Sequence, residues 1–206
     1  MNLRLWLAYT VLEIGLCFTP GPAVLTVVSQ AVRNGWRRSA FGALGITAGN
    51  LIFFGLSALG VGAFLAASPR VYGFLRWGGI AYLAFSAARL IASRPGTAGA
   101  ITSAEGRPGA LFGQGLATQL SNPKAIVFFA SFLVPFLDPG AAWPIAAQVA
   151  VFAATTAASE IPILLLYGFL AARGGALLPQ GRLGRWQDRI AGTCLLVVAA
   201  WLGLRG

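Results

Sequence analysis

Six long apolar runs, separated by short segments that hold nearly all the charge, leave this chain few folds to choose from. They cover Leu3 to Val32, Ser39 to Ala67, Val71 to Ala92, Ala110 to Leu137, Trp143 to Ala172 and Leu183 to Leu204. Each reaches the roughly 20 residues that a helix needs to cross a bilayer. Inside hydrocarbon every backbone polar group must be paired within the segment, so runs of this kind read as helices. With 57% hydrophobic and 10% charged residues among 206, the chain reads as an all-α polytopic membrane protein of six transmembrane helices. The sixth run begins polar, through Arg185, Gln187, Asp188 and Arg189, which sets its first turns in the interface.

The formal charge of +10 does not mark a nucleic-acid binder. Apolar spans separate the arginines, so they cannot form one basic face with interleaved aromatics. Their distribution instead reports orientation. Arg33, Arg37, Arg38, Arg89, Arg94, Arg107, Arg173, Arg182, Arg185 and Arg189 fall in or beside the connections between spans 1 and 2, 3 and 4, and 5 and 6. The opposite side holds only Arg4, Arg70, Arg76 and Arg205. Positive-inside bias then places the first group in the cytoplasm and both termini outside. Trp6, Trp36, Trp143, Trp186 and Trp201 lie near span ends, as interfacial anchors do.

Several chemistries drop out. The chain has no histidine, which removes His-activated nucleophiles and His-ligated metal sites. Its two cysteines, Cys17 and Cys194, lie alone in apolar runs and read as small packing residues. A paired-aspartate site would need Asp138 and Asp188, which fall in loops or interfaces. The reading is therefore not an enzyme, with no cofactor and no metal. The start, Asn2-Leu3-Arg4 before an apolar run, resembles a secretory signal, but Glu13 interrupts the run and no A-x-A-like site follows, so Met1 is read as the mature start.

The Gly-, Pro- and Ser-rich stretch at 94–109 reads as a cytoplasmic linker between a first three-helix unit, 1–93, and a second, 110–206. An odd number of spans in each unit means that homologous halves would enter the membrane inverted. Both first spans carry a proline break: Pro20-Gly21-Pro22 in one, Asn122-Pro123 in the other. Corresponding broken helices in two halves point to a transporter site at their meeting place. The expectation is two inverted three-helix repeats with helices 1 and 4 broken at prolines. Small residues at spacing four, Gly45 and Gly49, then Ala146, Ala150, Ala154 and Ala158, allow close helix packing and are compatible with a homodimer.

The breaks also nominate residues. Proline removes the helical partner of the carbonyl four residues earlier: Leu16 for Pro20, Phe18 for Pro22, Gln119 for Pro123 and Ala158 for Pro162. Gly21 lets the chain bend. A half-helix start directs free N–H groups and partial positive charge at a cavity, which suits a carboxylate; Ala23, Val24 and Leu25 offer one, and Asn122 with Pro123 another. Lys124, the lone lysine, is predicted deep in its span, where it either faces the cavity or snorkels to an interface. Glu160 is the acidic counterpart, able to hold an ammonium or a proton or to pair with Lys124. Glu13 is a second acid, expected nearer the outer interface. Ser29, Gln30, Thr47 and Asn50 read mostly as interhelical bonding groups, with Asn50 added to the site.

Thr19-Pro20-Gly21-Pro22-Ala23, the glycine run from Gly42 to Asn50, Trp77-Gly78-Gly79-Ile80-Ala81-Tyr82-Leu83, and Gln119-Leu120-Ser121-Asn122-Pro123-Lys124-Ala125 together resemble the lysine exporter and homoserine/threonine resistance (LysE/RhtB) family of amino-acid exporters. The resemblance runs in order over nearly the whole chain. It implies a bacterial inner-membrane exporter that moves amino acids outward by proton-coupled alternating access, with the proton as coupling ion. It also implies a coupling or amine-binding role at Glu160. The scarcity of intramembrane acid points to neutral or hydroxylated substrates; basic amino acids, or a metal cation such as cadmium, are the alternatives.

Overall fold

A computed structural model of the chain describes residues 2–19, 21–67, 69–92, 106–122, 125, 129, 133–174, 189, 193, 196–197 and 199–204. Most of the described residues are helical, with no strand among them. Helix α1 spans Leu3–Cys17 and α2 Pro22–Asn34; α3 runs Trp36–Ala67, α4 Pro69–Ala92, α5 Pro108–Leu120 and α6 Ile145–Gly174. Residues 199–204 are helical as well. Helices Trp36–Gly60 and Ile145–Arg173 are long and apolar enough to cross a membrane, and α1 with α2 forms a third such unit, bent by 48°. The linker up to residue 105 and most of the sixth apolar run lie outside the described residues.

Local sequence explains the helix ends. Asn2 caps α1, its side chain accepting from the Arg4 N–H at 3.1 Å. At the other end Thr19 N–H turns back to the Leu16 carbonyl at 3.0 Å, closing the helix in a tighter turn. Gly21 is extended, and Pro22 occupies the first turn of α2, where its missing N–H costs nothing. Helix α2 stops at Gly35, whose φ of 84° lies in the left-handed region that favours glycine. The fourth apolar run does not remain α-helical to Leu137: Val134–Phe136 is a 3-10 turn carrying Pro135. Proline there cannot donate to an α-helical ladder. Helix α6, by contrast, continues through Pro162.

Burial separates two faces that composition leaves alike. On α1, Leu3, Leu7, Val11, Ile14 and Phe18 are exposed while Leu5, Tyr9, Leu12 and Glu13 are buried. Such an apolar outer stripe would be a liability in water and is the natural face toward lipid. Similar exposed residues, among them Leu44, Leu51 and Leu166, continue it on α3 and α6.

The helices interlock at glycines. A Cβ on Gly45 would fall on the carbonyl of Phe112, and one on Gly115 on the carbonyl of Gly42, so α3 and α5 touch backbone to backbone. Contacts of Gly42 with Gly115, Gly49 with Gln119 and Ser57 with Phe129 rise together along the chain, so α3 runs parallel to α5 and its continuation. Contacts of Thr26 with Thr118 and Gln30 with Leu111 run in opposite senses, so α2 is antiparallel to α5. Trp6 donates to Thr155 at 3.0 Å and Tyr9 pairs with Thr156, tying α1 to α6.

Two apolar clusters result. One gathers Tyr9, Phe54, Phe129, Phe136 and Phe152, with Tyr9 4.5 Å from Phe152 and Phe54 4.9 Å from Phe129 between ring centroids. The other gathers Val24, Val27, Ile46, Leu164 and Tyr167.

Candidate functional site

Between the two clusters lies a cavity of about 120 Å³, at the level where α1 gives way to α2. Leu16, Val24, Phe129 and Leu164 supply its apolar wall. Its polar wall comes from Glu13, Cys17, Thr19, Asn50, Gln119, Asn122 and Glu160, and the α2 start contributes Gly21, Pro22 and Ala23. Five of the polar groups come from α1, α3, α5 and α6, so the site exists only once these helices have packed.

Glu160 is held from α3. Thr47 Oγ1 donates to its Oε2 at 2.9 Å, and Asn50 Nδ2 donates to Oε1 at 3.0 Å and to Oε2 at 2.9 Å. Thr47 and Asn50 sit one turn apart on one face of α3, which lets them meet the same carboxylate. Gln119 Nε2 donates to Asn50 Oδ1, extending the network to α5. Hydrogen bonds to charged groups are worth about 1.5–3 kcal/mol, so this clamp fixes where the carboxylate points.

Glu13 is the second acid. It is 7% exposed, against 9% for Glu160, and lines the same cavity, with the Cys17 thiol donating to its Oε1 at 3.6 Å. Glu13, expected to be the weaker candidate, is thus buried in the cavity wall beside Glu160. Tyr9, Glu13 and Cys17 recur at spacing four on α1, so the side of the helix that buries Tyr9 carries Glu13 to the cavity. No basic residue lines the cavity among the described residues, and two carboxylates on one buried surface favour a cation or proton between them.

The start of α2 supplies the opposite polarity. Gly21 precedes it without a side-chain cap, and the first-turn residues Ala23 and Val24 line the cavity. The partial positive charge of this 13-residue helix is directed there. The carbonyls released by the prolines are partly taken up by protein: Tyr167 OH donates to Phe18 O at 2.9 Å, and Asn122 N–H to Gln119 O at 3.2 Å.

Of the nominated residues, Gly21, Pro22, Ala23, Asn50, Gln119, Asn122 and Glu160 meet at this cavity. Pro20, Pro123 and Lys124 lie outside the described residues. Thr47, read from sequence as an interhelical bonding group, is a direct partner of Glu160. Its spacing of three from Asn50 was the available signal. Among the described residues no three His, Cys, Asp or Glu side chains gather where they would hold a metal ion.

Buried acids at a helix break, inside a helical body whose outer face is apolar, define a membrane transport protein. The chain belongs to the LysE type translocator family, whose model matches residues 14–206. A homoserine/homoserine lactone efflux protein of Salmonella typhi is 28% identical over 209 residues, covering 98% of this chain and 97% of its own length. The protein of that name from Salmonella typhimurium is 27% identical over 209 residues, with 98% and 97% coverage. An uncharacterized membrane protein of Vibrio cholerae is 26% identical over 197 residues, 95% of each chain. No solved structure matches the chain.

Proposed function

We propose that this protein is a multi-pass inner-membrane exporter of small amino acids, neutral or hydroxylated, working by proton-coupled alternating access with both termini outside. The observation that carries the reading is a cavity with opposite polarity at its two sides: the uncapped start of α2 at one, the clamped carboxylate of Glu160 at another. A zwitterion matches both, its carboxylate at the helix start and its ammonium at Glu160. Size favours small substrates, since an apolar protein cavity of about 150 Å³ holds a benzene ring, and this one is about 120 Å³. The homoserine efflux proteins to which the chain is similar point to the same substrate class.

Helices 1 and 4 would then be the broken members of two inverted three-helix repeats, and the antiparallel course of α2 and α5 is compatible with that symmetry. Proton coupling would use the buried acids. Lys124, next to the end of α5, would add positive charge for the substrate carboxylate. In everted vesicles, Glu160→Gln is expected to abolish accumulation of labelled amino acid driven by the proton gradient while the protein still assembles. Unchanged accumulation removes Glu160 from the mechanism.

A second reading, export of a basic amino acid, is favoured by one observation: Glu13 brings a second acid to the cavity, where a side-chain ammonium would find it. Growth of cells with and without the gene, challenged with L-homoserine, L-threonine and L-lysine, separates the two. Protection against lysine alone selects the second.

A further inference from the structure

Away from the cavity, the start of α3 meets the end of α6. Trp36 and Phe169 pack edge to face there, with ring centroids 5.6 Å apart. Each ring carries a guanidinium: Arg37 lies 5.6 Å from the centre of Trp36, and Arg173 lies 4.4 Å from that of Phe169. The backbones hold the pair in place. A Cβ on Gly168 would fall 2.7 Å from Ser39 Oγ, and this hydroxyl donates to the Trp36 carbonyl at 2.7 Å, so α6 presses on the first turn of α3. A guanidinium held over a ring by cation–π attraction still presents a fork of N–H donors at its edge, the geometry that meets a phosphate bidentately.

Both arginines are exposed. The described acids lie elsewhere: Glu13 and Glu160 line the cavity, and Asp138 is joined to Gln148 near the opposite end of α6. Among the described residues, then, no carboxylate neutralises this pair of charges. Below them the surface turns apolar. Arg37, Leu44 and Leu51 recur at spacing seven on α3, and Arg173, Phe169 and Leu166 recur at spacings of four and three on α6, so each arginine heads a stripe of its own helix. Leu44, Leu51 and Leu166 are exposed and belong to the outer face turned toward lipid, and Trp36 is 38% exposed, as an interfacial anchor is. Two cations thus stand where the apolar face ends. A ligand that meets both the charge and the stripes carries a phosphate joined to hydrocarbon chains.

We propose that Arg37 and Arg173, set on the Trp36–Phe169 pair, bind the head-group phosphate of an anionic phospholipid whose acyl chains lie along the leucine stripes of α3 and α6. Phosphatidylcholine carries the same phosphate, but its own quaternary ammonium cancels the charge that the guanidiniums would meet. The site selects by net charge and by the fork of donors together. It is separate from the cavity and does not depend on what the protein exports.

The test titrates the purified full-length protein, in neutral detergent, with phosphatidylglycerol or phosphatidylcholine and counts bound lipid by native mass spectrometry. The wild type is expected to bind phosphatidylglycerol roughly tenfold tighter or more, the worth of two arginines near an anionic head group. Arg37→Gln with Arg173→Gln should bring the two lipids within about twofold, on the same scale. Arg4→Gln, at the start of α1, should leave the preference as it is. Arg37→Lys with Arg173→Lys keeps the charge without the planar fork and should weaken phosphatidylglycerol roughly fivefold. Inorganic phosphate at equal concentration should not displace the lipid. Equal binding of the two lipids by the wild type overturns the proposal, as does an unchanged preference in the glutamine double variant or unchanged affinity in the lysine one. An equal loss in Arg4→Gln would reduce the preference to overall charge and overturn it too. Displacement by inorganic phosphate would reassign the cluster to a free anion. The wild-type comparison and the phosphate competition decide the matter even if the variants fail to assemble.

Discussion

The hydroxyl of Tyr167 on α6 donates to the carbonyl of Phe18 at 2.9 Å, and this carbonyl is the one that Pro22 leaves without a helical partner. A helix break in the first membrane unit is thus stabilised by a residue far along the chain. Replacing Tyr167 by Phe keeps the ring and removes the donor to this part-buried carbonyl. The expected loss is about 0.5–1.5 kcal/mol, read as a lower unfolding midpoint of the purified protein in detergent. A midpoint equal to the wild type would mean that water takes over the carbonyl and that the break does not depend on α6.

The contact between α3 and α5 predicts a pair of opposite outcomes on one helix. A Cβ at Gly115 would meet the Gly42 backbone, whereas one at Gly113 would meet nothing within 4 Å. Gly115→Ala should therefore cost about 1–3 kcal/mol or more through overpacking against a backbone that cannot yield. Gly113→Ala should be neutral or stabilising by up to about 1 kcal/mol, from helix propensity alone. Thermal unfolding of the two variants side by side decides it, and equal destabilisation would show that α3 and α5 are not in backbone contact.

Glu13 and Glu160 share a cavity, so their effects on transport should not add. Glu13→Gln is expected to weaken affinity for the amino acid by about tenfold, on the scale of one charge-assisted interaction. The double variant with Glu160→Gln should transport no worse than Glu160→Gln alone. Kinetics of uptake in everted vesicles test this, and a wild-type KM in Glu13→Gln would show that Glu160 alone meets the substrate.

Alternating access requires some helix pair to separate, and the structure contrasts two. Glycines lock α3 to α5 along their backbones, while α2 meets α5 through side chains, with Thr26 and Thr118 hydroxyls 3.2 Å apart and Gln30 Nε2 2.9 Å from Gln114 Oε1. Cysteines at 26 and 118, in a chain whose Cys17 and Cys194 are replaced by serine, should cross-link under oxidation. The cross-link is expected to stop export and reduction to restore it. Full transport by the cross-linked protein would place the moving boundary elsewhere.

Much of the architecture was legible because the bilayer narrows the alternatives. Apolar length predicts helices, and prolines predict where regular hydrogen bonding fails; α1 ends at Cys17 and α2 begins at Pro22, on either side of the Pro20-Gly21-Pro22 stretch. Asn50 and Glu160 were nominated as polar groups in apolar runs and Gln119 through the carbonyl that Pro123 frees, and the three meet in one network. Thr47 bonds a neighbouring helix as expected, its partner being Glu160, whereas the place of Glu13 in the cavity wall was not legible. Depth and facing decide the role of an intramembrane polar residue, and neither can be read from a helix whose lipid side and core side are both apolar.

Residue order alone determined that this protein is a set of membrane helices, that the first apolar run is interrupted between Cys17 and Pro22, and that a few acidic residues fall inside apolar runs. Those features are local: they follow from the length of apolar runs and from backbone groups that proline leaves unpaired. Only the tertiary structure decided that Thr47 and Asn50 clamp Glu160, that Glu13 lines the same cavity, and that Gln119 donates to Asn50. Each depends on which faces of α1, α3, α5 and α6 turn toward one another, and close contact at Gly42, Gly45 and Gly115 sets that rotation.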